Sequence, residues 1–204
     1  MSDTAARLRV RAKLLGIAIA PDLEARLAAY FDLLFRWNAK INLTALTEPD
    51  AAVDRLLLEP LAAALELLKG AELIDLGSGG GSPAIPLALT LESSRLVMVE
   101  SKTRKAAFLS EAARTVSLRA TVENARFEDV AERGAYAGQM SLVTIRAVRV
   151  DRPTLVIAKS FLKPGGAIAL FSPTAASPAD LPADLRVLRI APLPGTSHLV
   201  LLGK

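Results

Sequence analysis

The stretch Glu72-Leu73-Ile74-Asp75-Leu76-Gly77-Ser78-Gly79-Gly80-Gly81-Ser82-Pro83-Ala84-Ile85-Pro86-Leu87 decides the fold. An apolar run of strand length enters four glycines. A helix is expected to follow from Pro83, a residue suited to the first helical position. Glycines let the backbone turn tightly and approach a ligand with no Cβ in the way. A turn that merely joined a strand to a helix would need one or two of them; four point to something held there.

On the C-terminal side, the apolar runs Leu96–Val99, Leu142–Ile145 and Ile168–Phe171 alternate with helical stretches. That alternation predicts βαβ units and a mostly parallel sheet. The last runs, Leu185–Ile190 and Leu199–Leu202, leave no room for a helix between them and suit an antiparallel hairpin at the end of the sheet. The Ser-, Pro- and Ala-rich stretch 172–183 reads as a flexible loop. Toward the N-terminus the pattern is helical. Leu23, Leu27, Tyr30, Leu34 and Trp37 form one stripe, with Pro21 and Asp22 at its start. Residues 38–44 read as a loop, and a further helix is expected from about Glu48 to Lys69, kinked or broken at Pro60. The chain therefore divides into a helical cap, 1–69, and a sheet-bearing domain, 70–204.

Composition narrows the chemistry. The 204 residues are 51% hydrophobic, enough for a core, and they include no Cys and one His. Disulfides, cysteine-based zinc sites and thiol nucleophiles are excluded, and no metal is expected. No stretch approaches the roughly 18 apolar residues of a membrane span. The start, Met1-Ser2-Asp3 followed by Arg7, Arg9, Arg11 and Lys13, lacks the apolar centre of a signal peptide. A cytoplasmic protein with no membrane partner is expected. Charge is uneven: residues 102–163 carry twelve basic and six acidic side chains, against a net charge of +4 for the whole chain. That segment is either a solvated face or a surface for a polyanion.

The glycine loop admits two readings. From Gly79 it fits a relaxed dinucleotide fingerprint closed by Ala84, which would make the protein an NAD-binding oxidoreductase. From Gly77 it is an acidic residue, a spacer and then G-x-G-x-G, the form found in Rossmann-like S-adenosylmethionine methyltransferases. Asp75 favours the second, because a carboxylate there repels a pyrophosphate but attracts the amino group of a methionine. Glu100, ending the next strand, suits ribose hydroxyls in either case. Without Cys, C5-pyrimidine methylation has no nucleophile. The Asn/Asp-Pro-Pro-aromatic tetrapeptide of exocyclic-amine methyltransferases is also missing after the fourth strand, where Thr144-Ile145-Arg146-Ala147 stands. An acceptor with a free lone pair, such as guanine N7, needs neither device. Alignment alone can lower such a barrier by roughly 7–11 kcal/mol. No general base is evident, and His198 in the terminal strand reads as structural.

Trp37-Asn38-x-x-Ile41-Asn42-Leu43-Thr44 and Asp75-x-Gly77-Ser78-Gly79-x-Gly81-x-Pro83-x-Ile85-Pro86-Leu87 carry a family resemblance, extended by Glu100-Ser101-x-x-Arg104-Lys105-x-x-Phe108-Leu109, Arg126-x-Glu128-Asp129 and Arg146-Ala147-Val148. Over roughly residues 20–175 the chain resembles the bacterial 16S ribosomal RNA guanine-N7 methyltransferases, also called glucose-inhibited division protein B. The resemblance implies an α/β, Rossmann-like methyltransferase fold with a seven-stranded, mostly parallel sheet and an N-terminal helical cap. It implies S-adenosylmethionine as cofactor, S-adenosylhomocysteine as product, and 16S ribosomal RNA or a small-subunit particle as partner of a monomer. Asp75, Gly77, Ser78, Gly79, Gly81, Pro83, Glu100, Ser101, Phe127 and Glu128 would form the cofactor site. Arg55, Arg104, Lys105, Arg126 and Arg146 would face RNA, and Arg146 and Asn42 would serve catalysis. The chain departs from the family pattern at Leu56, Glu59-Pro60, Phe171-Ser172 and Ser197. Those departures motivate an alternative, a methyltransferase fold that binds nucleoside and RNA without transferring methyl.

Overall fold

The computed structural model describes residues 3–175 and 180–203. Seven strands form one sheet: β1 (Glu72–Leu76), β2 (Arg95–Val99), β3 (Ala120–Glu123), β4 (Met140–Arg146), β5 (Leu162–Ser172), β6 (Arg186–Pro192) and β7 (His198–Gly203). Their order across the sheet is β3-β2-β1-β4-β5-β7-β6. β1 to β5 run parallel, and β7 lies antiparallel between β5 and β6, as the hairpin reading required. β3 shows no apolar run in the sequence because it is an edge strand whose residues stay largely half-exposed. The loop expected over 172–183 lies partly outside the described residues.

Alternate residues of each strand point to opposite faces. Leu73, Leu96, Met98 and Leu142 pack beneath the N-terminal helices, α5 (Ala84–Thr90) and α6 (Thr103–Thr115). Ile74, Leu76, Val97, Val143 and Ile145 pack beneath α7 (Phe127–Glu132) and α8 (Arg152–Phe161). The N-terminal helices α1 (Asp3–Leu14) and α2 (Pro21–Ile41) bury Leu8, Leu27, Tyr30 and Leu34 in the first of these cores. Each such leucine is worth about 1.5–3 kcal/mol. The part-exposed pairs of Arg7 and Arg11 with Asp50 and Asp54 add roughly 0–1 kcal/mol each, so the apolar stripe is what seats the cap.

Two expectations about the cap need correction. Residues 38–41 are not loop, because α2 runs on to Ile41. The Asn38 side chain stops it there: its Oδ1 accepts from the Leu43 and Thr44 amides at 2.7 and 2.9 Å. Asn42 takes the left-handed C-cap conformation, which asparagine tolerates. Nor does the next helix break at Pro60 or reach Lys69. It runs through α3 (Pro49–Val53), a π-helical turn (Asp54–Leu58) and α4 (Glu59–Ala64). Proline has no N–H for the carbonyl four residues earlier. The Glu59 amide instead bonds the Asp54 carbonyl, and the freed Leu56 carbonyl accepts from Ser82 Oγ at 2.8 Å. A gap in one helix thereby becomes an attachment point for the glycine loop.

Candidate functional site

Strand order reverses between β1 and β4, and crevices for ligands open at the C-terminal ends of strands at such a point. Two clefts open there. One, of about 440 Å³, lies under the cap and is lined by Leu43–Leu46, Arg55, Leu56, Gly77–Gly80, Ser82, Glu100, Lys105 and Arg146. The other, of about 490 Å³, lies toward β2 and α7 and is lined by Gly77, Glu100, Ser101, Arg126, Phe127, Glu128 and Val148. Gly77 and Glu100 belong to both.

Besides the Leu56 attachment, the loop between β1 and α5 is held from two sides. Tyr30 Oη donates to the Gly80 carbonyl at 2.6 Å, which ties the loop to α2. Glu100 accepts from the Gly79 amide at 2.9 Å and from the Lys102 amide at 2.8 Å. The donors to Glu100 are therefore backbone amides. Gly77 has φ +75°, and a Cβ there would sit 2.5 Å from Val148 Cγ2; at Gly80 it would approach the Leu43 carbonyl at 3.2 Å. The glycines thus answer to protein neighbours as well as to a ligand, and their number alone does not signal one. At Gly79, by contrast, a Cβ would meet nothing closer than 3.8 Å, so this residue presents bare backbone to open space.

Several expected cofactor residues do not line either cleft. Asp75 is 1% exposed, on the cap-side face of β1, directly opposite Thr144 in register. Thr144 Oγ1 donates to its carboxylate at 2.5 Å, and burial pushes its pKa up to about 6. It lies behind the loop, where it cannot touch a ligand amine. A Cβ on Gly81 would press on Ile85 and Leu109, so this glycine serves helix packing. Pro83 is the N-cap of α5, which begins one residue later than expected, at Ala84.

The basic residues separate into three settings. Arg104 and Lys105 occupy the first turn of α6 and line a groove with Lys40, Asn42 and Lys102. None of these cations has an acidic partner within ion-pair distance among the described residues. Lys105 also reaches the first cleft. Asn42 lines this groove, next in the chain to Leu43 of the first cleft. Arg126, expected to face RNA, lies in the second cleft beside Phe127 and 3.6 Å from Glu128.

Arg146 is the third setting. Its side chain is 8% exposed and forms the floor of the first cleft. One guanidinium nitrogen donates to the Glu59 carboxylate, the other to Ser82 Oγ at 3.0 Å, and the group lies 5.1 Å from the Phe171 ring centroid. Glu59 also accepts from Arg55 at 3.1 Å, and Arg55 donates to Ser197 Oγ. Of the family departures, Glu59 and Phe171 thus contact Arg146 directly, and Ser197 reaches it through Arg55 and Glu59. Sequence reasoning missed Tyr30, Ser82 and Thr144. Of these only Thr144 carried a usable signal, as the β4 residue level with Asp75.

Comparison with known proteins agrees with this geometry. Residues 23–176 match the family described as GidB, rRNA small subunit methyltransferase G. The chain is 37% identical over 216 aligned residues to the ribosomal RNA small subunit methyltransferase G of Xanthomonas campestris pv. campestris, covering 100% of both chains. It is 34% identical to the Myxococcus xanthus protein of the same name, covering 79% of this chain and 75% of that one. Among solved structures it is similar to P. horikoshii TYW2 in complex with MeSAdo, with TM-score 0.56, 20% identity, and 80% of this chain and 64% of that one covered. It also resembles the ribosomal protein L11 methylase of Lactobacillus delbrueckii subsp. bulgaricus, with TM-score 0.54, 10% identity, and 78% and 80% covered. The sheet and its flanking helices are therefore the Rossmann-like methyltransferase fold.

Proposed function

The chain belongs to the GidB family, rRNA small subunit methyltransferase G, and on that premise we propose that it methylates N7 of a guanine in 16S ribosomal RNA. The observation that carries this reading is the pair of clefts meeting at Gly77 and Glu100. A nucleoside with a reactive group at one end needs such an arrangement, with one chamber for the nucleoside and a second where its reactive end meets the acceptor.

The residues fit S-adenosylmethionine. Glu100, 7% exposed, keeps acceptor capacity for ribose hydroxyls beyond its two backbone donors. Phe127 offers a ring edge or face to adenine, and Glu128 and Ser101 offer polar contacts beside it. Gly77, Ser78 and Gly79 border the passage to the first cleft, where the methionine end would lie. When bound, the cofactor would supply an electrophilic sulfonium methyl to the N7 lone pair, a transfer in which no proton would have to move. The chain accordingly needs no general base. Its work is alignment, with Arg146 framing the target base on the cleft floor and residues 43–46 forming the wall opposite. Residues 1–69 serve as the cap over the 70–204 domain and help to form the acceptor chamber. Arg104, Lys105 and Lys102 would hold phosphates of RNA entering from the α6 side. Among the described residues no helix is long and apolar enough to cross a membrane, and a cytoplasmic site of action suits a ribosomal substrate.

The test is transfer of labelled methyl from S-adenosylmethionine to undermethylated small-subunit RNA or 30S particles, with the modified base identified by mass. N7-methylguanine is the expected product. Binding of S-adenosylhomocysteine without incorporation would leave the binding-module alternative. Thermal stabilisation by NADH but not by S-adenosylhomocysteine would reverse the cofactor assignment.

A further inference from the structure

We infer that Glu59 is a positioning residue for methyl transfer, acting through Arg146, an inference that rests on the methyltransferase reading above. Glu59 is 3% exposed and divides its carboxylate between two arginines: Arg55 donates to Oε1, and Arg146 to Oε2. A buried carboxylate and guanidinium tolerate burial only as a pair, and apolar residues of similar volume would serve stability as well or better. The pair is better explained by what it does to the cleft.

First, it fixes direction. Arg146 is engaged by Glu59 on one nitrogen, by Ser82 on another and by Phe171 against its face. Its remaining surface belongs to the cleft floor. Glu59 itself is placed by the π-helical turn that ends at Leu58, immediately before it. The same turn releases the Leu56 carbonyl that holds Ser82, so both of Arg146's hydrogen-bonding partners depend on one local irregularity around Pro60. Second, it sets charge. Guanine alkylated at N7 becomes cationic, and an uncompensated guanidinium beside it would oppose that change. The Glu59 carboxylate cancels the arginine's charge while leaving its donors in place. Arg55, held by Glu59 and Ser197, closes the outer side of the carboxylate.

The full-length chain and its Glu59→Gln, Glu59→Asp, Arg146→Lys and Glu59→Gln/Arg146→Lys variants would be compared in methyl transfer to undermethylated small-subunit RNA. Calorimetric binding of S-adenosylhomocysteine is the companion readout. For Glu59→Gln we expect kcat to fall on the order of 10²-fold, the scale of a misaligned reacting group. The dissociation constant for S-adenosylhomocysteine should stay within about twofold, because Glu59 lies outside the second cleft. Glu59→Asp, which keeps the charge and shortens the reach, should lose less. The double variant should be little worse than Arg146→Lys alone, as expected of two groups acting as a unit. Unchanged kcat in folded Glu59→Gln, additive losses in the double variant, or a parallel loss of S-adenosylhomocysteine binding would each overturn the inference. If Glu59→Gln does not fold, Glu59→Asp decides, and wild-type kcat there overturns it. A wild-type chain that transfers nothing defeats the functional reading itself, whereas an active wild type with an equally active Glu59→Gln defeats only this inference.

Discussion

The Glu100 carboxylate receives the Gly79 amide at 2.9 Å, so the side chain that follows β2 also locks the loop that leaves β1. Its other oxygen takes the Lys102 amide at 2.8 Å and thereby fixes the entry to α6. Glu100→Ala removes both acceptors at once. Both amides are only part-buried, so each lost bond costs about 0.5–1.5 kcal/mol, and in a chain of this size each kcal/mol lowers Tm by roughly 2–4 °C. We expect S-adenosylhomocysteine affinity to fall at least tenfold and Tm to fall as well. Glu100→Gln, which keeps one acceptor oxygen, should recover part of the stability but little of the affinity. Unchanged affinity in Glu100→Ala, measured by calorimetry, would remove this residue from the cofactor site.

Gly77 is where loop conformation and cleft shape meet. Gly77→Ala would strain a backbone at φ +75° and drive a methyl into Val148 Cγ2, 2.5 Å away. It should destabilise the fold by about 1–3 kcal/mol and weaken S-adenosylhomocysteine binding, because Val148 lines the second cleft. Adding Val148→Ala removes the clash but not the strain. The double variant should therefore regain affinity and only part of the stability, as read from urea midpoints. If Val148→Ala rescues nothing, the contact is not what matters there.

Much of this architecture was legible in the sequence because it rests on runs of like residues. Six of the seven strands and the hairpin topology follow from apolar runs and their spacing, and the α2 stripe follows from its 3.6-residue period. What escaped was set by single polar atoms meeting over long sequence separations. Asn38 sets where α2 ends by bonding amides just beyond it, and propensity does not register that. Pro60 reads as a breaker, yet the helix absorbs it by a π turn because Ser82, 26 residues after Leu56, is there to take the freed carbonyl. Motif position and charge both make Asp75 look like a ligand contact. Its burial follows from β1 alternation, which turns Leu73 and Asp75 to the cap side together.

Asp75 gives a pH dependence with a definite sign. Its native pKa is raised to about 6 by burial, above its ordinary value of 3.8. The folded state therefore holds this proton more tightly than the unfolded chain. The resulting stabilisation is complete below pH ~4, declines as pH rises toward 6, and is gone above that. The difference amounts to about 3 kcal/mol. Asp75→Asn keeps an acceptor for Thr144 Oγ1 and cannot ionise. Its stability relative to wild type should rise by about 2 kcal/mol between pH 4.5 and 8, with most of the change below pH 6.5. A pH-independent difference in urea midpoints would mean that the carboxyl does not titrate in the native protein.

The arginines and lysines should separate by salt. Arg104 and Lys105 are without acidic partners among the described residues, whereas Arg55 and Arg146 already share Glu59. A cation that neutralises a phosphate releases a counterion, and its removal lowers the slope of log K against log salt by roughly 0.7–0.9. Arg104→Ala and Lys105→Ala should each lower that slope for small-subunit RNA by about this amount, and Arg104→Ala, outside both clefts, should leave S-adenosylhomocysteine affinity unchanged. Arg55→Ala should leave the slope nearly as it was, because its charge is compensated within the protein. Filter binding across 50 to 200 mM salt would distinguish the two classes. Equal slopes for wild type, Arg104→Ala and Lys105→Ala would mean that RNA does not run along the groove at the start of α6.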